Sequence, residues 1–126
     1  MPQHGEPVAD AQVTLAPTPN GVNISSASTP SWSLSLASTQ AQPFGPACYE
    51  RARRASSAPP TRPGLEFNYA GSACEPIGGR YRVLEYQQNP GSHAVEKLAV
   101  DFYQYCGDLH HAIVGNVRYH SELPVD

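Results

Sequence analysis

Charge is scarce in this chain of 126 residues: Asp, Glu, Lys and Arg make up 15% of it, against about 25% in an average soluble protein. The formal net charge of -3 argues against a surface built to coat nucleic acid, so no nucleic-acid partner is expected. No apolar run approaches the roughly 20 residues that a membrane-spanning helix needs. The N-terminus also lacks the basic-then-apolar plan of a secretory leader. The expectation is a soluble chain with no membrane insertion and no leader peptide in the sequence as it stands. No helix-period segment of useful length is present, and no repeat of about 20 to 50 residues, which removes solenoids and propellers. A G-x-S-x-G elbow, a phosphate-binding Walker loop and an H-E-x-x-H helix are all missing. No catalytic residues, cofactor or metal are therefore assigned. Three cysteines, Cys48, Cys74 and Cys106, form no C-x-x-C pair, which sets aside zinc-ribbon and thioredoxin-like readings.

What the chain does hold is short pieces of period-2 sequence, divided by 13 prolines and 10 glycines. In Val100-Asp101-Phe102-Tyr103-Gln104-Tyr105-Cys106, one row carries Val100, Phe102, Gln104 and Cys106 and the other Asp101, Tyr103 and Tyr105. That is a strand packed on one face. Ser31 to Leu36 alternates in the same way, with Trp32, Leu34 and Leu36 inward. Asn20-Gly21 and Asn89-Pro90-Gly91-Ser92 are hairpin-turn signatures. Cys48 to Arg54 reads as helix or strand, with strand favoured by its neighbours, and Gly71 to Gly79 reads as a turn region before a central strand from Arg80 to Tyr86. Polar residues 1–10 form a flexible segment and 11–126 a single domain. The fold expectation is an all-β, antiparallel β-sandwich of about eight short strands.

One long-range disulfide and one leftover thiol fit the cysteine count. Cys74, in a turn-rich stretch, and Cys106, at a strand end, stand where a bridge could staple the fold, provided their Cα atoms come within roughly 7 Å. Several blocks taken in order carry a resemblance. They are Trp32-x-Leu34, Pro46-x-x-Tyr49-x-x-Ala52-x-Arg54, Pro63-Gly64-Leu65, Gly71-x-x-Cys74, Gly79-x-Tyr81-x-Val83-x-Glu85, Asp101-Phe102-x-Gln104-x-Cys106 and Gly115-x-Val117-Arg118-Tyr119. Over roughly Val22 to Pro124 the chain resembles an uncharacterised domain family of bacterial exported or cell-envelope proteins. The resemblance implies an all-β sandwich, an extracytoplasmic location in the periplasm, at the cell surface or secreted, and a Cys74–Cys106 bridge. It implies no catalytic residue. The chain departs from the family pattern at Ala47-Cys48, where a glycine and a small polar residue are usual, and at His120, where an asparagine is usual.

Tyr103 and Tyr105 lie opposite the Val100/Phe102 row and would present aromatic surface to water, which marks them as candidate binding residues. Asp101, Glu85, Arg82 and Arg118 fall on neighbouring strands as a carboxylate–guanidinium cluster. Asp101 and Arg118 are candidates for anion or sugar recognition, although a cross-strand ion pair that sets register accounts for them better. Arg51, Arg53, Arg54 and Arg62 form a basic patch beside a Pro-rich loop and read first as an edge that resists aggregation. Cys106, His110, His111 and His120 are the best potential zinc set, and adjacent histidines that point apart weaken it. The sequon Asn23-Ile24-Ser25 carries no weight. The expected function is a non-enzymatic exported module that recognises a protein or glycan through a sheet face, as a monomer or weak homo-oligomer. The alternatives are an inhibitor or immunity-type partner of a secreted enzyme, or a small hydrolase using Asp101 or Glu85 with His110.

Overall fold

The computed structural model describes residues 13–26, 31–39, 42–69, 76–107 and 112–123. Eight strands account for most of them: β1 (Val13–Thr18), β2 (Gly21–Ser26), β3 (Trp32–Ala37), β4 (Ala47–Arg53), β5 (Gly64–Tyr69), β6 (Pro76–Gln88), β7 (Val95–Cys106) and β8 (Ala112–Tyr119). One 3-10 turn, Ala55–Ser57, follows β4. The all-β expectation is met, with a difference in layering. The strands hydrogen-bond as one mostly antiparallel sheet in the order β1-β2-β3-β5-β4-β6-β7-β8, not as two separate sheets. The sheet is curled as a half-barrel, and its first strand returns against β7. The expected flexible segment over 1–10 and the domain start at residue 11 lie outside the described residues.

Local chemistry explains the elements. Thr18 pairs with Gly21, so Pro19 and Asn20 form a two-residue hairpin loop. Pro17 is tolerated inside β1 because β1 is an edge strand, where a missing N–H breaks no ladder. β4 is a strand, as its neighbours suggested. β6, β7 and β8 form a meander, and β6 turns into β7 at the expected hairpin signature, where the Asn89 side-chain oxygen accepts from the N–H groups of Gly91 and Ser92 at 2.8 and 3.0 Å. One boundary is corrected: Gly78-Gly79 is strand, not turn. Both residues have φ near +150°, at 149° and 156°. A Cβ there would stand 2.4 Å from the Ala52 carbonyl oxygen and 2.0 Å from that of Tyr103. The glycines let β4 and β7 approach β6 closely, a role that composition alone reads as a turn.

Val22, Ile24, Leu34, Leu36, Leu65 and Leu98 are almost wholly buried in one core cluster. Each stabilises the fold by about 1.5–3 kcal/mol relative to an exposed side chain. The weakest point is the middle of the sheet. β4 and β5 are joined there by a single parallel pair, Arg53 with Gly64, and by the Arg53 N–H donating to the Pro63 carbonyl at 2.9 Å. Beyond that pair the edge of β5 is satisfied by a side chain. Gln104, on β7 and fully buried, accepts from the Phe67 N–H at 2.6 Å and donates its amide N–H to the Phe67 carbonyl at 2.9 Å. A side-chain amide thus completes the pairing that a missing backbone strand would have made.

Other contacts cross the same seam. The Phe67 and Phe102 rings lie 5.2 Å apart across it, and Trp32, on the same side as Phe67, packs against that ring at 5.9 Å. The Tyr81 hydroxyl donates to the Ala37 carbonyl at 2.6 Å. Burial, and then the neighbouring Tyr49, push the Tyr81 phenol far above its ordinary value against the opposing effect of that hydrogen bond, so it stays a donor. Tyr49 stacks on Tyr81 at 4.7 Å and closes a tyrosine corner, accepting from the Gly45 N–H at 3.0 Å and donating to the Gly45 carbonyl at 2.7 Å. At the outer end of the seam, Glu66 accepts from the Ser56 N–H at 3.0 Å and pairs with Arg54 at 3.4 Å. Burial pushes this carboxyl up, but the hydrogen bonds from Ser56, Asn68 and Arg54 together hold it below the ordinary carboxylate value.

Gln104→Ala should strand the Phe67 N–H and carbonyl and destabilise the fold by roughly 2–4 kcal/mol in urea unfolding. A loss below about 0.5 kcal/mol, within the range of ordinary surface substitutions, would contradict the clamp.

Candidate binding face

The outward face of β6–β7–β8 collects most of the residues singled out from sequence. Strand register sets them in rows: Arg80, Tyr103 and Val114; then Arg82, Asp101 and Asn116; then Glu85, Ala99 and Arg118. The alternation of β7 does this directly, since Gln104 and Phe102 must face the core and Tyr103 and Asp101 therefore face out.

The first row, together with Tyr105 two residues along β7 from Tyr103, is an aromatic and apolar patch braced by a cation. Tyr105 and Val114 are 41% and 37% exposed, among the few large apolar side chains so exposed in the described residues. The Tyr103 and Tyr105 rings meet edge to face at 5.3 Å and 74°. Arg80 lies over the Tyr103 ring, its guanidinium carbon 4.7 Å from the centroid, and its Nη1 is 3.4 Å from the Tyr105 hydroxyl. These contacts hold the two rings and the guanidinium against one another on the sheet surface. Arg80 was missed in the sequence reading. The available signal was its position opposite Tyr103, which is fixed only once the register of β6 and β7 is known.

The second and third rows are structural. Arg118 is buried, with 8% exposure, and its Nη2 lies 2.9 Å from Asp101 Oδ1. Its Nη1 donates to the Val100 and Val117 carbonyls at 3.2 and 3.0 Å. Asn116 donates to the same Asp101 oxygen at 2.7 Å. A guanidinium tied to a carboxylate and two carbonyls is a strand-pairing device and has little left to offer a ligand. The rest of the expected cluster disperses. Ser121 donates to Glu85 at 2.7 Å, and Arg82 has no ion pair among the described residues.

His110 and His111 lie outside the described residues, so the hydrolase and zinc readings built on them are not assembled here. His120 follows β8 with φ of 51° and stacks on the Tyr119 ring at 4.1 Å. Cys48 is an exposed free thiol, whereas Cys106 is buried and not free. Cys74 lies outside the described residues, and its expected pairing with Cys106 with it. No protein-family model, curated protein or solved structure matches the chain.

Arg118→Met should therefore cost roughly 1–3 kcal/mol of stability by leaving carbonyls and Asp101 without their donor. Chemical denaturation checks this, and a variant as stable as the parent would show that Arg118 is not a structural residue.

Proposed function

We propose that the chain is a non-enzymatic exported binding module that engages a protein or glycan through the outward face of β6–β7–β8. The observation that carries the reading is the Tyr103–Tyr105 pair, braced by Arg80 and flanked by the exposed Val114. Tyrosine and arginine supply large contact area at low entropic cost, and residues of these types dominate binding energy at interfaces. An edge-to-face pair that leaves ring surface exposed also suits stacking against the apolar face of a sugar ring. Asp101 and Arg118 border the patch and hold its strands in register.

Two further points support the wider reading. The seam between β4 and β5 divides the sheet into a half made of β1, β2, β3 and β5 and a half made of β4, β6, β7 and β8. Contacts from Gln104, Tyr81 and Phe102 join these halves across the core, which favours a sandwich-like packing of the two. Export rests on the family resemblance, and with it we propose a Cys74–Cys106 bridge, for which the free Cys48 and the engaged Cys106 leave room.

The test is binding to an array of bacterial envelope glycans, together with pull-down from an envelope extract using parent protein, Tyr103→Ala and Tyr105→Ala. Each substitution should weaken the captured ligand by about tenfold or more, the loss of a hot-spot side chain, with little change in unfolding midpoint. Binding retained in full by both variants would place the interface elsewhere.

A further inference from the structure

The basic patch around β4 is only partly a solvated edge. Arg54 is neutralised by Glu66. Arg51 and Arg62 instead line one open cleft of about 340 Å³, and neither has an ion-pair partner among the described residues. Thr39, Thr61 and Gln42 add hydroxyl and amide groups to the wall, Glu50 one carboxylate, and Cys48 its free thiol.

The backbone is distorted where Arg51 joins this wall. Pairing runs from Tyr49 with Tyr81 to Ala52 with Gly79, so Glu50 and Arg51 together oppose Arg80 alone: a β-bulge. Arg51 adopts φ of 56°, a left-handed conformation that costs a non-glycine residue about 1–2 kcal/mol. A bulge re-aims side chains, and here the re-aimed residue is a cation at a concave site whose other cation comes from the loop before β5. Two guanidiniums with no ion-pair partner among the described residues suit an oxyanion. Glu50, which repels a second anionic group and accepts from hydroxyls, sets the character of the rest of the ligand. The volume lies at the lower end of the roughly 300–1,000 Å³ typical of ligand clefts, which limits occupants to small molecules.

We infer that the cleft between the β4 bulge and the residue 61–63 loop binds a small hydroxylated anion, a sugar phosphate or sugar acid, through Arg51 and Arg62. The site is separate from the tyrosine face and stands or falls independently of it.

Cys48 supplies the readout, because an occupied cleft shields its thiol. The alkylation rate of Cys48 by a neutral maleimide is measured in the unreduced protein at rising glucose 6-phosphate, glucuronate or glucose. One or both anions should slow alkylation saturably at millimolar concentration, and glucose should not. Protection by glucose 6-phosphate alone assigns a phosphate ligand; protection by glucuronate alone assigns a carboxylate. Arg51→Asn keeps a residue suited to positive φ; it and Arg62→Gln should each raise the protection midpoint by about tenfold, the loss of a charge-assisted hydrogen bond. No protection by either anion, equal protection by glucose, or protection unchanged in both variants would overturn the site.

Discussion

The pairing of the Gln104 side chain with the Phe67 backbone is the constraint on which the sheet's closure depends. A sheet of eight strands has two edges, and this one has a weak join in its middle, where β4 and β5 share one backbone pair. Beyond that pair the N–H and carbonyl of Phe67 need partners, since a buried peptide group without one costs about as much as a lost hydrogen bond. Gln104 reaches from β7 to provide both bonds from within the core, where a low dielectric strengthens them. The two bonds tie β5 to β7 across the core, and the Phe67–Phe102 and Trp32–Phe67 contacts pack beside them.

The same strand carries the candidate site on its other face. Because side chains alternate, anchoring Gln104 and Phe102 inward commits Tyr103 and Tyr105 outward and places them beside Arg80 on β6 and Val114 on β8. Asp101, Asn116 and Arg118 lock β7 to β8 just beyond the patch. The seam and the proposed binding face are thus coupled through one rigid element, and displaced β7 packing would reach both.

Much of this was legible in sequence, and the rest was hidden for identifiable reasons. Period-2 alternation reported correctly which residues of β3 and β7 face the core, because facing is a local property of the strand. The Asp101–Arg118 pair was visible because both residues fall on neighbouring period-2 stretches, where opposite charges on adjacent strands are expected to pair. Long-range pairing was not visible. Nothing in the order of residues says that β5 inserts between β3 and β4, so one sheet and two sheets read alike. Gln104 continued the inward row as an unexplained polar residue, since its partner is a backbone 37 positions away. Gly78 and Gly79 looked like a turn because their actual role, close approach by two neighbouring strands, depends on where those strands lie. The bulge at Glu50 and Arg51 was hidden for the same reason, and the cleft with it.

The central claim is that a buried side chain stands in for a missing strand at Phe67. Amide hydrogen exchange at that residue tests it most directly. The Phe67 N–H should exchange as slowly as the amides in the middle of β7, opening only with the fold as a whole. Exchange as fast as in the residue 59–62 loop, under conditions where β7 stays protected, would mean that the bond to Gln104 is not holding the sheet.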